Sequence, residues 1–176
     1  MVLGVGMFAA GLLSWTLLEY AIHGWMAHLH GTFVTPMHAG HHRDPRAVFA
    51  IGAWPPSTAI AAVLFAFFGL APGAVFYYGL LCGFIAYEII HYRLHFAAAL
   101  TPYERGLRDR HIVHHLRRPM MCLGVISGFW DRLFGTEPAP HELSALRASL
   151  GEIRPLSGPT NFHQMVSWVL SSFKRG

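Results

Sequence analysis

A chain of 176 residues that is 53% apolar and only 12% charged is too hydrophobic for an ordinary soluble domain and short enough to form a single one. Its 13 Lys and Arg outnumber nine Asp and Glu. No nucleic-acid motif or basic stripe with interleaved aromatics accompanies that excess, so it points to anionic lipid headgroups and not to nucleic acid.

In chain order, Val2 to Ile22 is the first of three apolar stretches without Lys or Arg, and it is long enough to cross a bilayer as a helix. It lacks a basic leader and runs into EYAIHGWMAH with no small-residue cleavage site, so it is expected to be retained. The second stretch, Ala47 to Ala71, contains Pro55 and Pro56. They start its helix late and leave about 25 Å of length against a hydrocarbon core of ~30 Å. The third, Ala74 to Ile90, follows the turn signal Ala71-Pro72-Gly73, which predicts a helical hairpin. All Lys and Arg lie from Arg43 onward and none in that turn. With about three spans, segments 23–46 and 91–176 then share one side, the cytoplasmic one by the positive-inside rule. The fold expected is all-α, an integral multi-pass membrane helical bundle with a His-rich cytosolic cap. Cys82, inside the third stretch, and Cys122 read as packing residues.

Ten of the 13 histidines fall into four groups: His23 and His28; His38, His41 and His42; His91 and His95; His111, His114 and His115. On a helix, positions i, i+3 and i+4 share a face, so HAGHH, HYRLH and HIVHH can each aim their rings at one point. His23 and His28 diverge by about 140° on an α-helix, which calls for a bend near Gly24 or service to two different metals. Ten imidazoles exceed the capacity of one ion, and two ions are the economical reading. His30, His141 and His163 read as solvated or snorkelling side chains. Glu19 precedes His23 by four positions and Glu88 precedes His91 by three, so each is a candidate to accept from the distal nitrogen of a ligating ring. A carboxylate-type di-iron bundle needs two Glu-x-x-His pairs, and only EIIH at 88–91 qualifies. A metal transporter would hold its ligands near the bilayer midplane, whereas these border the span ends.

The order HGWMAH, HAGHH, HYRLH, HIVHH and then SGFWDRLFGT at 127–136 resembles the fatty acid hydroxylase and sterol desaturase superfamily. Within it, EYAIHGWMAH, HAGHHRDP and YEIIHYRLHF most resemble the fatty acid 2-hydroxylase branch, over about residues 15–137. The resemblance implies a membrane-embedded histidine-box oxygenase domain at 1–137, and residues 138–176 form a C-terminal linker and amphipathic helix. It implies two iron ions on the ten clustered histidines, with zinc a possible occupant of purified protein, and no catalytic residues beyond those ligands. It further implies O2 as oxidant, a lipid substrate, and a separate electron donor of ferredoxin or cytochrome type in place of the haem domain fused to some members. Gly24 stands where an arginine is often found. An acyl chain is expected near Tyr20, Tyr87 and Tyr92, with Trp130 a further candidate beside Phe129 and Phe134. Carotenoid or sterol oxidation, desaturation, and metal binding without catalysis stay open alternatives.

Three smaller expectations complete the reading. Asp131 and Arg132 pair locally. One short helix lies near Glu142 to Leu150. Phe162, Met165, Val166, Val169 and Phe173, with Lys174 and Arg175 behind them, form an amphipathic helix on the membrane surface or against the cap.

Overall fold

The computed structural model of the chain describes residues 2–49, 54–152, 154–159, 164, 166–168 and 170. Phe162, His163, Met165, Val169, Phe173, Lys174 and Arg175 lie outside the described residues, as does the side chain of Trp54. Among the described residues every regular element is helical. Helix α1 spans Val2–Tyr20 and passes without a break into a π-helical segment, Ala21–Leu29. Then come α2 (Val34–Arg43), α3 (Trp54–Phe68), α4 (Leu70–Phe96), α5 (Pro102–Leu116), α6 (Phe129–Phe134) and α7 (Pro140–Ala148).

Among the described residues two continuous helices are long and apolar enough to cross a membrane, Val2–Leu29 with 28 residues and Leu70–Phe96 with 27. Their outward surfaces expose Val2, Leu3, Leu13, Ile85 and Ile89, which suits hydrocarbon and not water. Helix α3 has 15 residues and reaches only about 22 Å, shorter than a full crossing. The hairpin between α3 and α4 turns at Gly69, whose φ of 82° favours glycine, and not at the expected 71–73. Pro72 fits inside the first turn of α4 because its absent N–H has no intrahelical acceptor there. The fourth amide, Gly73 N, already donates to Gly69 O at 3.0 Å.

Helices α1 and α4 approach so closely that glycine is required on both sides. A Cβ on Gly11 would lie 2.0 Å from Phe76 O, and one on Gly79 would lie 2.1 Å from Phe8 O. Above this contact Trp15, Leu80 and Phe84 form a buried cluster, with the Trp15 and Phe84 rings edge-to-face at 5.1 Å, a favoured aromatic arrangement. A second cluster of Leu94, Leu107 and Val125 joins α4, α5 and the chain that follows. The connection from α4 to α5 is fixed by Thr101, which caps α5 by accepting from Glu104 N at 3.1 Å. Glu104 in turn accepts from Arg93 of α4 at 2.6 Å, so the two helices leave the corner at a set angle.

Gly79→Leu places a side chain into the backbone of α1 and is expected to cost more than the ~1–3 kcal/mol of ordinary overpacking, whereas Gly4→Ala, with nothing within 4 Å, is expected to be neutral. Thermal unfolding of the two variants in detergent checks this; equal midpoints would show that the α1–α4 approach is not tight.

Candidate metal centre

All ten clustered histidines converge, and they do so as two groups of five. His23, His28, His38, His42 and His114 form one; His41, His91, His95, His111 and His115 form the other, and within each the ligating nitrogens lie within 4.8 Å of one another. His30 and His141 are exposed and stand apart.

Neither HAGHH nor HIVHH aims at one point. Each keeps its i, i+4 pair together, His38 with His42 and His111 with His115, and sends its middle histidine across to the opposite group. The reason is angular. At about 100° per residue the i+4 ring lies roughly 40° to one side of ring i and the i+3 ring roughly 60° to the other, so two adjacent sites divide the three. HYRLH has only the i, i+4 pair, and both rings serve one group. The divergence of His23 and His28 is resolved by the π-helix, whose i→i+5 hydrogen bonds bring residues five apart onto one face. His30 N donates to Trp25 O at 2.8 Å in that pattern, and the His23 and His28 rings stand 5.4 Å apart in the same group.

The rings are oriented by the segment 121–125. His23 Nδ1 donates to Leu123 O at 2.5 Å and His114 Nδ1 to Met121 O at 3.0 Å. Cys122 between them has φ 56°, an unusual conformation for a residue with a Cβ, and the geometry is imposed from around it. Asp131, fully buried, accepts from Leu123 N at 2.7 Å, Gly124 N at 2.9 Å and Thr136 Oγ1 at 2.6 Å. Burial also pushes the Cys122 thiol up to about 12, which keeps it unreactive.

The Asp131 charge is matched by buried Arg110 of α5 at 2.7 Å, not by its neighbour Arg132, which reaches Glu137 instead. Glu137 also pairs with Arg110. Glu19, buried in the last turn of α1, accepts from Val125 N at 2.6 Å. It therefore holds the same segment and not the His23 ring. Glu88 does not hold His91 either, because both His91 ring nitrogens lack a hydrogen-bond partner. Arg110 and Asp131 were not legible as a positioning pair; the one available signal was an acidic residue inside the aromatic run GFWDRLF. Gly24 accommodates Leu123, since a Cβ there would meet the leucine Cδ1 at 2.7 Å.

The protonation pattern calls for a cation. A ring nitrogen facing a carbonyl must carry the proton, so a neutral His23 and a neutral His114 each present a bare lone pair at Nε2. Those two Nε2 atoms are 3.1 Å apart, repulsive unless a positive ion lies between them and their neighbours. In the second group His41 and His91 leave both ring nitrogens buried without a hydrogen bond, and His111 Nδ1 and His115 Nε2 do the same. Buried unpaired polar atoms in such number are costly, and metal coordination satisfies them. Burial, with the neighbouring imidazoles, holds His38, His41, His111, His114 and His115 well below the usual imidazole range, and His42 down to about 4. Neutral rings are the form that binds metal.

A cleft of about 120 Å³ opens onto both groups, touching His23 and His38 of one and His41 and His91 of the other. Its walls are largely apolar and include Trp15 and Phe84, with Glu19 and Tyr87 beside the histidines. Of the four aromatic residues expected to face an acyl chain, Tyr87 lines this cleft. Tyr20 instead is buried with its hydroxyl on Thr136 Oγ1 at 3.0 Å, Tyr92 packs between Phe49 and Phe96, and Trp130 Nε1 donates to Thr16 Oγ1 at 2.9 Å.

Known proteins resemble this chain in sequence, and a solved structure resembles it in fold. The dihydroceramide fatty acyl 2-hydroxylase FAH2 of Arabidopsis thaliana is 33% identical over 148 residues, covering 76% of this chain and 62% of the plant protein. The ceramide very long chain fatty acid hydroxylase scs7 of Schizosaccharomyces pombe is 34% identical over 148 residues, covering 74% and 42%. Among solved structures, full-length scs7p, with only the hydroxylase domain visible, superposes with a TM-score of 0.70 at 27% identity, covering 79% of this chain and 58% of that one. The chain thus spans 62% or less of the length of these relatives. The sequence model of the fatty acid hydroxylase family matches residues 8–136, the stretch that carries every histidine of both groups, and this chain belongs to that family.

Proposed function

We propose that the two five-histidine groups hold two iron ions, and that the chain hydroxylates an acyl chain of a membrane lipid with O2 and two electrons from a separate donor. The observation that carries the reading is the convergence of ten histidines, six buried and four half-buried, beside a largely apolar cleft. The activities for which the relatives are named, acyl 2-hydroxylation of dihydroceramide and hydroxylation of very long chain fatty acids of ceramide, supply the substrate class. Bound redox metal ions supply what no side chain offers, activation of O2 toward an unactivated C–H bond. The reaction balances as one C–H bond, O2, two electrons and two protons giving C–OH and one water.

The chain's own part is orientation and exclusion. Trp15 and Phe84 give the alkyl chain an apolar wall, and Tyr87 stands 5.3 Å ring-to-ring from His91, so the end of the cleft nearest the histidines is where the target carbon lies. The buried carboxyl groups of Asp131 and Glu19 keep segment 121–125 in place, which keeps His23 and His114 in the tautomer with a free Nε2. Residues 1–137 act as the membrane-embedded oxygenase domain, with the histidine-rich face toward the cytoplasm, where Arg and Lys accumulate.

Mass spectrometry of lipids from cells expressing the chain with an electron donor is expected to show a lipid class one oxygen heavier, absent with His114→Ala and with His41→Ala. Equal product from both variants would overturn the assignment. Acid is expected to destabilise the metal-free protein. Unfolded histidine takes up protons near 6.5 while the folded rings resist, so stability present above about 6.5 is lost as pH falls toward the His42 value of about 4. Denaturant midpoints of metal-free protein at pH 7.5 and 5 check the sign; a midpoint that rises on acidification would contradict it.

A further inference from the structure

The histidine groups have a second opening, apart from the substrate cleft. It is a mouth of about 150 Å³ that touches His42, His95 and His115, none of which lines the first cleft. Behind it the rings of His42 and His115 stack at 4.1 Å with an interplanar angle of 17°. These two belong to different groups, so this spot adjoins both metal positions at once.

The rim is basic. Arg108 and Arg154 line the mouth, and Arg108 also lines an adjoining cavity of about 240 Å³ with Arg105, Arg147 and Asp109. Arg154 is 82% exposed beside Glu152, itself 76% exposed, a pair that water screens. Arg147 pairs with Asp109 at 2.6 Å, and Arg105 is exposed. Arg117 and Arg118 continue the exposed surface at the end of α5, Arg118 beside Glu142 at 3.5 Å. Between the arginines the mouth presents Leu116 and Leu156. Apolar contacts inside a charged rim are the usual anatomy of a transient protein interface.

We infer that this mouth is the docking site of a small acidic one-electron carrier protein. The inference rests on the reading of the histidine groups as a redox metal centre. Substrate and electrons then arrive by separate routes, the lipid through the apolar cleft and the carrier over the arginine rim, so a bound lipid does not block reduction. Each encounter oxidises the carrier by one electron and reduces the metal centre by one, and two encounters supply the turnover. Positive charge around the mouth steers an acidic partner and orients its redox group toward His42 and His115.

The test uses the iron-loaded full chain in detergent micelles, oxidised and then mixed in a stopped-flow instrument with a reduced acidic [2Fe–2S] ferredoxin or with reduced methyl viologen. The viologen is a small cation that needs no docking face. The wild-type rate with ferredoxin is expected to fall steeply as salt rises, and Arg105→Glu with Arg154→Glu to lower it by about tenfold or more at low salt, while the viologen rate stays equal or rises. A ferredoxin rate unaffected by both salt and charge reversal, with viologen still reducing the centre, overturns the docking site alone. If neither reductant reduces the wild-type centre, the redox reading itself fails and the docking site with it.

Discussion

The buried Arg110–Asp131 pair is the constraint on which the arrangement of the histidines depends. Asp131 sits within a short helix, yet its two oxygens face backward onto the amides of Leu123 and Gly124, while Arg110 reaches it from α5. A carboxylate with no water contact is tolerable only when its charge is matched and its lone pairs are used, and here both conditions are met. What the pair secures is a strained turn at Cys122 from which the Met121 and Leu123 carbonyls address two histidines in the same group. Glu19 closes the arrangement from α1, so a membrane helix, the histidine helix α5 and the aromatic motif at 127–136 are tied to one five-residue segment.

The second organising feature is the exchange between the two histidine groups. Helix α2 gives a pair to one and a single ring to the other, and α5 does the reverse. Neither group is complete on one helix, so α2 and α5 cannot separate without taking apart both. The two long apolar helices supply the remaining rings, His23 and His28 from the end of the first and His91 and His95 from the end of the second. The close glycine contact between α1 and α4 therefore fixes the distance between the two groups as well as the packing of the spans.

Much of this was legible in the residues. Ten histidines at recurring helical intervals, each bordering an apolar run, pointed to a converging histidine cluster able to hold metal, and the run lengths pointed to a helical membrane protein. How the rings divide was not legible, because i, i+3 and i+4 share a face only when a single target is assumed; two adjacent targets separate them. The π-helix at Ala21–Leu29 was equally hidden, since the 3.6-residue period applied to His23 and His28 gives divergence where the backbone puts both rings in one group. Asp131 suggested Arg132 by adjacency, whereas its partner lies 21 positions back on another helix. Carboxylates three or four positions before a histidine suggested support of the ring, yet Glu19 supports the backbone that supports the ring. In the α3–α4 corner, Pro72 resembled a turn residue and proved compatible with a first helical turn, with Gly69 making the break.

The most direct test of this dependence is the metal content per chain of purified, iron-loaded protein, wild type against Asp131→Asn, in samples that remain monodisperse and helical. Asparagine keeps the shape but removes the charge that holds Arg110 and replaces one acceptor with a donor facing Leu123 N or Gly124 N. Two ions are expected in the wild type and about one in the variant, lost from the group that contains His23 and His114. Two ions retained with unchanged affinity in Asp131→Asn would contradict the claim that this buried pair sets the metal centre.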